Sequence, residues 1–261
     1  MLFIKVLLVP LLIAAVTWAN GKVGPRIAGT IAALPIVAGP AALAVALEQG
    51  GAFAAEAAIA TLASEFSLAV FCVMYMHLCR TQSWGVSLLA SYLGFLANSL
   101  LLAQLELDAG VALALAVVTP ATIAWLAPEP TEPPTPRSVG GAEVGLRMLA
   151  GAVLVTAITG AASALGTTWS GLLTIFPIAT SVLAVSSQRS GGPAQTQHLL
   201  RGLGAGLYGL TAFFAMLAFA LERWSLAASF TAAVGAAAST QAVVFGALAY
   251  RAQLTPAPAR D

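Results

Sequence analysis

Apolar residues run along this chain in continuous blocks of about 20, separated by short polar or glycine-rich breaks. Blocks of that length suit membrane-spanning helices rather than the roughly ten-residue alternating strands of a membrane barrel. The pattern predicts nine spans, at about 2–19, 27–47, 53–79, 84–105, 109–127, 146–165, 170–187, 198–221 and 225–250. The segment 53–79 is longer than a hydrocarbon core requires and must tilt or protrude. Pro120 predicts a kink in the fifth span, with Thr119 beside it to bond a freed carbonyl. Met1–Ala19 has the outline of a signal peptide. Its thin charged start, Pro10 and Trp18 favour retention as the first span.

Two of the blocks are broken, and they match. Ile27–Leu47 reads IAGTIAALPIVAGPAALAVAL, and Ser170–Ser186 reads SGLLTIFPIATSVLAVS 142 residues later. At that offset Gly29 falls on Gly171, Pro35 on Pro177 and Ile36 on Ile178, with Leu34 opposite Phe176. The same offset pairs Phe71 with Phe213 and Met74 with Met216. Pro35, Pro40 and Pro177 are expected to break their helices. Carbonyls freed near residues 31 and 173 would then be open to a ligand, an ion or a hydroxyl, such as those of Thr180 and Ser181. Between the copies lies PEPTEPPTPR, too rich in proline for helix or core and read as a solvated linker. The expected organisation is a first repeat of five spans at 1–127, a linker at 128–145, a second repeat of four spans at 146–250, and a tail at 251–261. Five is odd, so the second copy enters the membrane inverted, and repeated proline-broken segments of this kind point to a transporter's central site. The fold class expected is therefore an all-α, polytopic transmembrane bundle of about nine spans, built from two inverted repeats.

Charge supplies the orientation. Lys22 and Arg26, then Arg80, then Arg137 and Arg147, then Arg189 and Arg201 fall on alternate loops. The intervening loops carry Glu48, then Glu106 and Asp108, then no charge, then Glu222 with Arg223. The positive-inside rule makes the basic loops cytoplasmic, with the N-terminus outside and the C-terminus inside. The expected location is a bacterial inner membrane. Composition agrees: 59% of residues are hydrophobic and 8% charged, where a soluble domain carries about a quarter charged. A net charge of +1 leaves no basic face for nucleic acid. The bilayer and a small solute or ion are the partners implied, and self-association is compatible with the pattern. Cys72 and Cys79, two turns apart on one helix face, are about 10 Å from each other, too far for a disulfide. They are read as packing residues, and no metal or cofactor is expected.

The second half resembles the small four-span GlpM-like membrane proteins. The residues that carry the resemblance are Gly171-Leu-Leu-Thr-Ile-Phe-Pro177, the loop Ser190-Gly-Gly192, and Leu200-Arg201-Gly202. The first copy keeps Gly29, Leu34-Pro35 and the Gly50-Gly51 turn, with Glu56 near where Arg201 would fall. About 80 residues per copy are covered. The resemblance implies a four-span unit, here duplicated and joined by an extra span, and a link to envelope polysaccharide production. It carries over no catalytic residue.

Glu65 is the outstanding candidate for chemistry. A carboxylate near the middle of a span costs about 2.5–3.5 kcal/mol on insertion scales and faces a bundle interior or a wet cavity. Thr61, Glu65, Leu68, Cys72 and Tyr75 share one helix face, which should line the interior. The functional reading is a protonatable coupling or substrate-binding group; the structural one is an acid satisfied by a hydroxyl or a carbonyl. Asn98 and Ser99 match Thr240 and Gln241 at the repeat offset, as two walls of one site or as interhelical hydrogen bonds of about 0.6 kcal/mol. His77, Arg80, His198 and Arg201 read as interfacial anchors, and Trp84, Trp125, Trp169 and Trp224 as an aromatic belt. Glu56 reads as an entry carboxylate or a solvated helix end. GLGAGLYG at 202–209 follows no strand and is no dinucleotide loop. With no nucleophile–base or metal constellation, enzyme chemistry is not expected. The expected function is secondary transport or export of a small solute, proton-coupled through Glu65. The alternative is a non-transporting subunit of an envelope-polysaccharide assembly.

Overall fold

The apolar blocks become helices. The computed structural model describes residues 2–105, 108–165 and 176–254, and every regular element among them is helical. In chain order these are α1 (Leu2–Val23), α2 (Pro25–Ala32), α3 (Ala38–Gln49), α4 (Gly51–Leu78), α5 (Trp84–Ala103), α6 (Ala109–Leu126), α7 (Gly141–Leu165), α8 (Ile178–Ala220) and α9 (Leu226–Leu254). Glu106, Gly171, Trp169 and the tail from 255 lie outside the described residues. Among the described residues five helices, α4, α5, α6, α8 and the stretch Leu226–Leu248 of α9, are long and apolar enough to cross a membrane. α4 has 28 residues and is about 42 Å long, well beyond a hydrocarbon core of about 30 Å. Large apolar side chains such as Leu89, Val117, Trp125 and Val243 point outward. An apolar surface of this extent fits a membrane protein.

The broken second block is two helices, α2 and α3, joined by a non-helical turn at 33–37. Proline disfavours helical conformation in the residue before it, and the chain turns at Leu34, whose carbonyl accepts from Ile36 N at 2.7 Å. Pro40 makes no second break. It sits in the first turn of α3, where an amide has no helical acceptor and its loss is free. Pro177 stands immediately before α8 as its N-terminal cap. α6 continues through Pro120. The Thr119 hydroxyl donates to Leu115 O at 2.8 Å rather than to the Ala116 carbonyl that proline frees.

Gly192 divides α8 into limbs 178–191 and 193–220, with φ 77° and ψ −176°. Gly50 joins α3 to α4 with φ 91° and ψ 167°. This region of backbone space belongs almost solely to glycine. The second limb of α8 runs antiparallel to α4. Gln197 Nε2 donates to Met76 O near one end, Thr211 meets Glu65 in the middle, and Gly51 lies against Leu221 O at the other. α1 and α7 are also antiparallel, with Thr17 beside Arg147 and Ile13 against Gly151.

α2 crosses the second limb of α8 at near backbone contact. A side chain at Gly29 would run into the Leu199 carbonyl, and one at Gly202 into that of Arg26. Thr30 Oγ1 closes the crossing with a 3.0 Å bond to Gly202 O. Small residues let membrane helices approach in this way. The proline-rich segment is solvent-exposed along 131–138, as expected of a linker, yet it does not hang free. It crosses the bundle end and is held by the α8 limb: Arg201 donates to Ala127 O at 2.8 Å and pairs with Glu129 at 2.9 Å. His198 Nε2 lies 2.7 Å from Glu132 O, and Gln195 bonds Thr135. α7 begins at Gly141, so 141–145, expected in the linker, are helical; Glu143 in the first turn pairs with Arg147.

Candidate functional site

Glu65 lies on the α4 face predicted to look inward. Glu65, Cys72 and Tyr75 are fully buried, and Thr61 and Leu68 half-buried. Both cysteines are free and buried, as packing residues should be. The antiparallel crossing sets Glu65 against Thr211, whose hydroxyl donates to Oε2 at 2.6 Å. The other oxygen, Oε1, is buried and has no partner among the described residues. A buried polar atom in that state costs about 1–3 kcal/mol. The pair sits at a seam between two apolar clusters. Ala69 and Leu207 belong to one, Leu62 and Phe214 to the other.

Asn98 and Gln241 do not meet the acid. Asn98 Nδ2 donates to Ser67 Oγ at 2.9 Å, tying α5 to α4. Gln241 is 5% exposed and rests against Gly209, with both amide atoms unpartnered among the described residues. Ser67 and Gly209 lie 142 positions apart in the chain, the same offset as the sequence match.

Thr180 and Ser181 are both buried just past Pro177. Ser181 donates to the Pro177 carbonyl and accepts from Tyr92 OH at 2.6 Å. The Tyr92 ring packs on Phe176 and Phe71, at 4.5 and 5.5 Å between centroids. The start of this helix at Pro177 is thus held by a hydroxyl and an aromatic cluster, and the carbonyl expected to be freed near residue 173 lies outside the described residues. Ile31, Ala32 and Val37, which flank the Pro35 break, share a core cluster with Phe176, Ile178 and Val182. The Pro35 turn and the start of α8 at Pro177 therefore pack together. Glu56 and His77 are exposed, and His198 and Arg201 have a definite task in holding the linker. Among the described residues no cluster of His, Cys, Asp or Glu could hold a metal ion.

Thr211 and Arg147 were not singled out by their types. Threonine is common in apolar helices, and Arg147 reads as a loop charge. The repeat offset places Thr211 at the level of Ala69, one turn from Glu65, so an inverted pair crossing at the acid would have found it. Protein-family models, curated proteins and solved structures give no match to this chain.

Proposed function

We propose that this chain is a secondary transporter of a small solute, built from two inverted repeats, with Glu65 as the group that exchanges a proton. The observation that carries the reading is a carboxyl buried at the crossing of two antiparallel long helices, with one oxygen unsatisfied among the described residues. The repeat is supported by boundaries that recur at its offset: Gly50 and Gly192 share one backbone conformation, Leu78 and Ala220 end their helices, and Trp84 and Leu226 begin the next. An axis in the membrane plane through the α4–α8 crossing would relate the copies, and the antiparallel α1–α7 pair fits the same axis. Rocking one repeat about the crossing would expose Glu65 to water on alternate sides. The carboxyl O–H then breaks toward water on one side and re-forms with a proton from the other.

One observation favours a second reading, a non-transporting subunit assisting envelope-polysaccharide assembly. The cavity between α5, α7 and α8 and the groove beside α4 and α6 are not lined by Glu65. One experiment separates the two: the protein in liposomes holding a pH-sensitive dye, under an imposed pH gradient, challenged with a panel of small anions, cations and sugars. Transport predicts solute-dependent proton movement that Glu65→Gln abolishes while the variant folds normally. Proton movement equal to that of protein-free liposomes for the whole panel, or an unaltered Glu65→Gln, would sink proton-coupled transport.

A further inference from the structure

A cavity of about 440 Å³ lies between α5 and α7, over the first limb of α8. Its walls change character along their length. Glu143, Arg147, Arg189, Ser190 and Trp84 surround one end. From Glu143 to Leu154 helix α7 rises about 16 Å, and toward that end the walls are Leu154, Val182, Val185 and Leu88, with Ser181 the polar exception, its hydroxyl already bonded to Pro177 O and Tyr92. Arg147 is 6% exposed. Its Nη2 pairs with Glu143 and lies 3.4 Å from Ser190 Oγ, and its Nη1 lies 3.4 Å from Thr17 Oγ1. Its Nε is buried with no acceptor among the described residues. Arg189 stands on the rim, exposed, its guanidinium 5.8 Å from the centre of the Trp84 ring.

Two guanidiniums thus face one carboxylate, and the more buried of them is under-satisfied. A soluble anion would use that end and leave the apolar trough empty. An apolar ligand would use the trough and leave Arg147 Nε without an acceptor. A molecule with one anionic head and a hydrocarbon tail uses both. Arginine matches phosphate oxygens well, and basic pockets between membrane helices suit anionic headgroups. We propose that this cleft is a binding site for an anionic phospholipid, its headgroup phosphate at Arg147 and Arg189 and the upper part of one acyl chain along α7. Trp84 is then a wall of the headgroup site, beyond its place in an interfacial belt. The site stands independently of the transport reading.

The test uses the purified full-length chain in detergent, titrated with phosphatidylglycerol or phosphatidylcholine, with retained lipid counted by native mass spectrometry. Wild type should prefer phosphatidylglycerol. Arg189→Gln, on the exposed rim, should lower that preference about fivefold, as expected for one basic residue near a headgroup. Arg80→Gln makes the same change of net charge outside the cleft and should leave the preference intact. Leu154→Trp should weaken retention of long-chain phosphatidylglycerol by filling the trough. Equal retention of the two lipids by wild type, or equal losses in Arg80→Gln and Arg189→Gln, would overturn the assignment. Displacement of the lipid by inorganic phosphate would assign the pocket to a free anion instead.

Discussion

Glu65 and Thr211 stand 146 positions apart in the chain and share one short hydrogen bond. Removing the hydroxyl leaves both carboxyl oxygens buried without a donor, so Thr211→Ala should destabilise the fold by about 1–3 kcal/mol, with Thr211→Ser recovering most of it. Unfolding in mixed detergent micelles measures this. Replacing both partners by apolar groups of similar shape, Glu65→Leu with Thr211→Val, removes the need for the bond and should return stability to within about 1 kcal/mol of wild type. If that double variant were as unstable as Thr211→Ala, the pair would be holding the crossing together by more than mutual satisfaction. Glu65 was visible in the sequence because an acid in mid-block has no cheap explanation. Its partner was not, because one threonine among several becomes special only when a helix crossing brings it there. Arg147 is the converse. Its charge was plain, but its burial followed from α7 beginning earlier than hydropathy suggested.

At the level of elements, proline and glycine acted through their positions. Pro35 interrupts its block as predicted, whereas Pro40, five residues on, costs nothing because it falls in the first turn of a helix that Pro35 had already reset. Sequence pattern cannot separate those cases until the helix start is known. The turns at Gly50 and Gly192 are single residues in the glycine-only region, and a Cβ there would meet nothing within 4 Å. Gly50→Ala and Gly192→Ala should therefore each cost about 1–3 kcal/mol through backbone strain alone. Gly140→Ala, which also meets nothing within 4 Å and has no positive φ, should leave the unfolding midpoint unchanged. The crossing of α2 over α8 should respond differently. Gly202→Ala forces a methyl against the Arg26 carbonyl, so it should cost about 1–3 kcal/mol or more by overpacking. Loss of the same size at Gly140 would show that any methyl in these turns is harmful, and the conformational argument would fall.

For the whole molecule, the orientation read from alternate basic loops makes a testable pattern. A cysteine at Gln49, exposed at the end of α3, should label in intact cells with a membrane-impermeant thiol reagent. One at Thr131, exposed in the linker, should label only after permeabilisation. The native cysteines are buried and contribute little background. Labelling of the Thr131 position from outside would reverse the orientation and, with it, the side on which the proposed lipid cleft opens.

Hydropathy by itself determined that the chain is helical and where most helices begin and end, because the length of an apolar block is set by the thickness of a bilayer. Internal matching at a constant offset drew attention to the blocks around Pro35 and Pro177, because proline acts on the backbone wherever it stands. Tertiary structure alone decided which side chains meet. Thr211 reaches Glu65, Ser181 bonds the Pro177 carbonyl with Tyr92 behind it, and Arg201 and His198 pin the exposed linker to the bundle end. These contacts depend on the angle and depth at which helices cross. Interlocking of small residues such as Gly29 and Gly202 sets that geometry, and hydropathy, which weighs each residue alone, does not contain it.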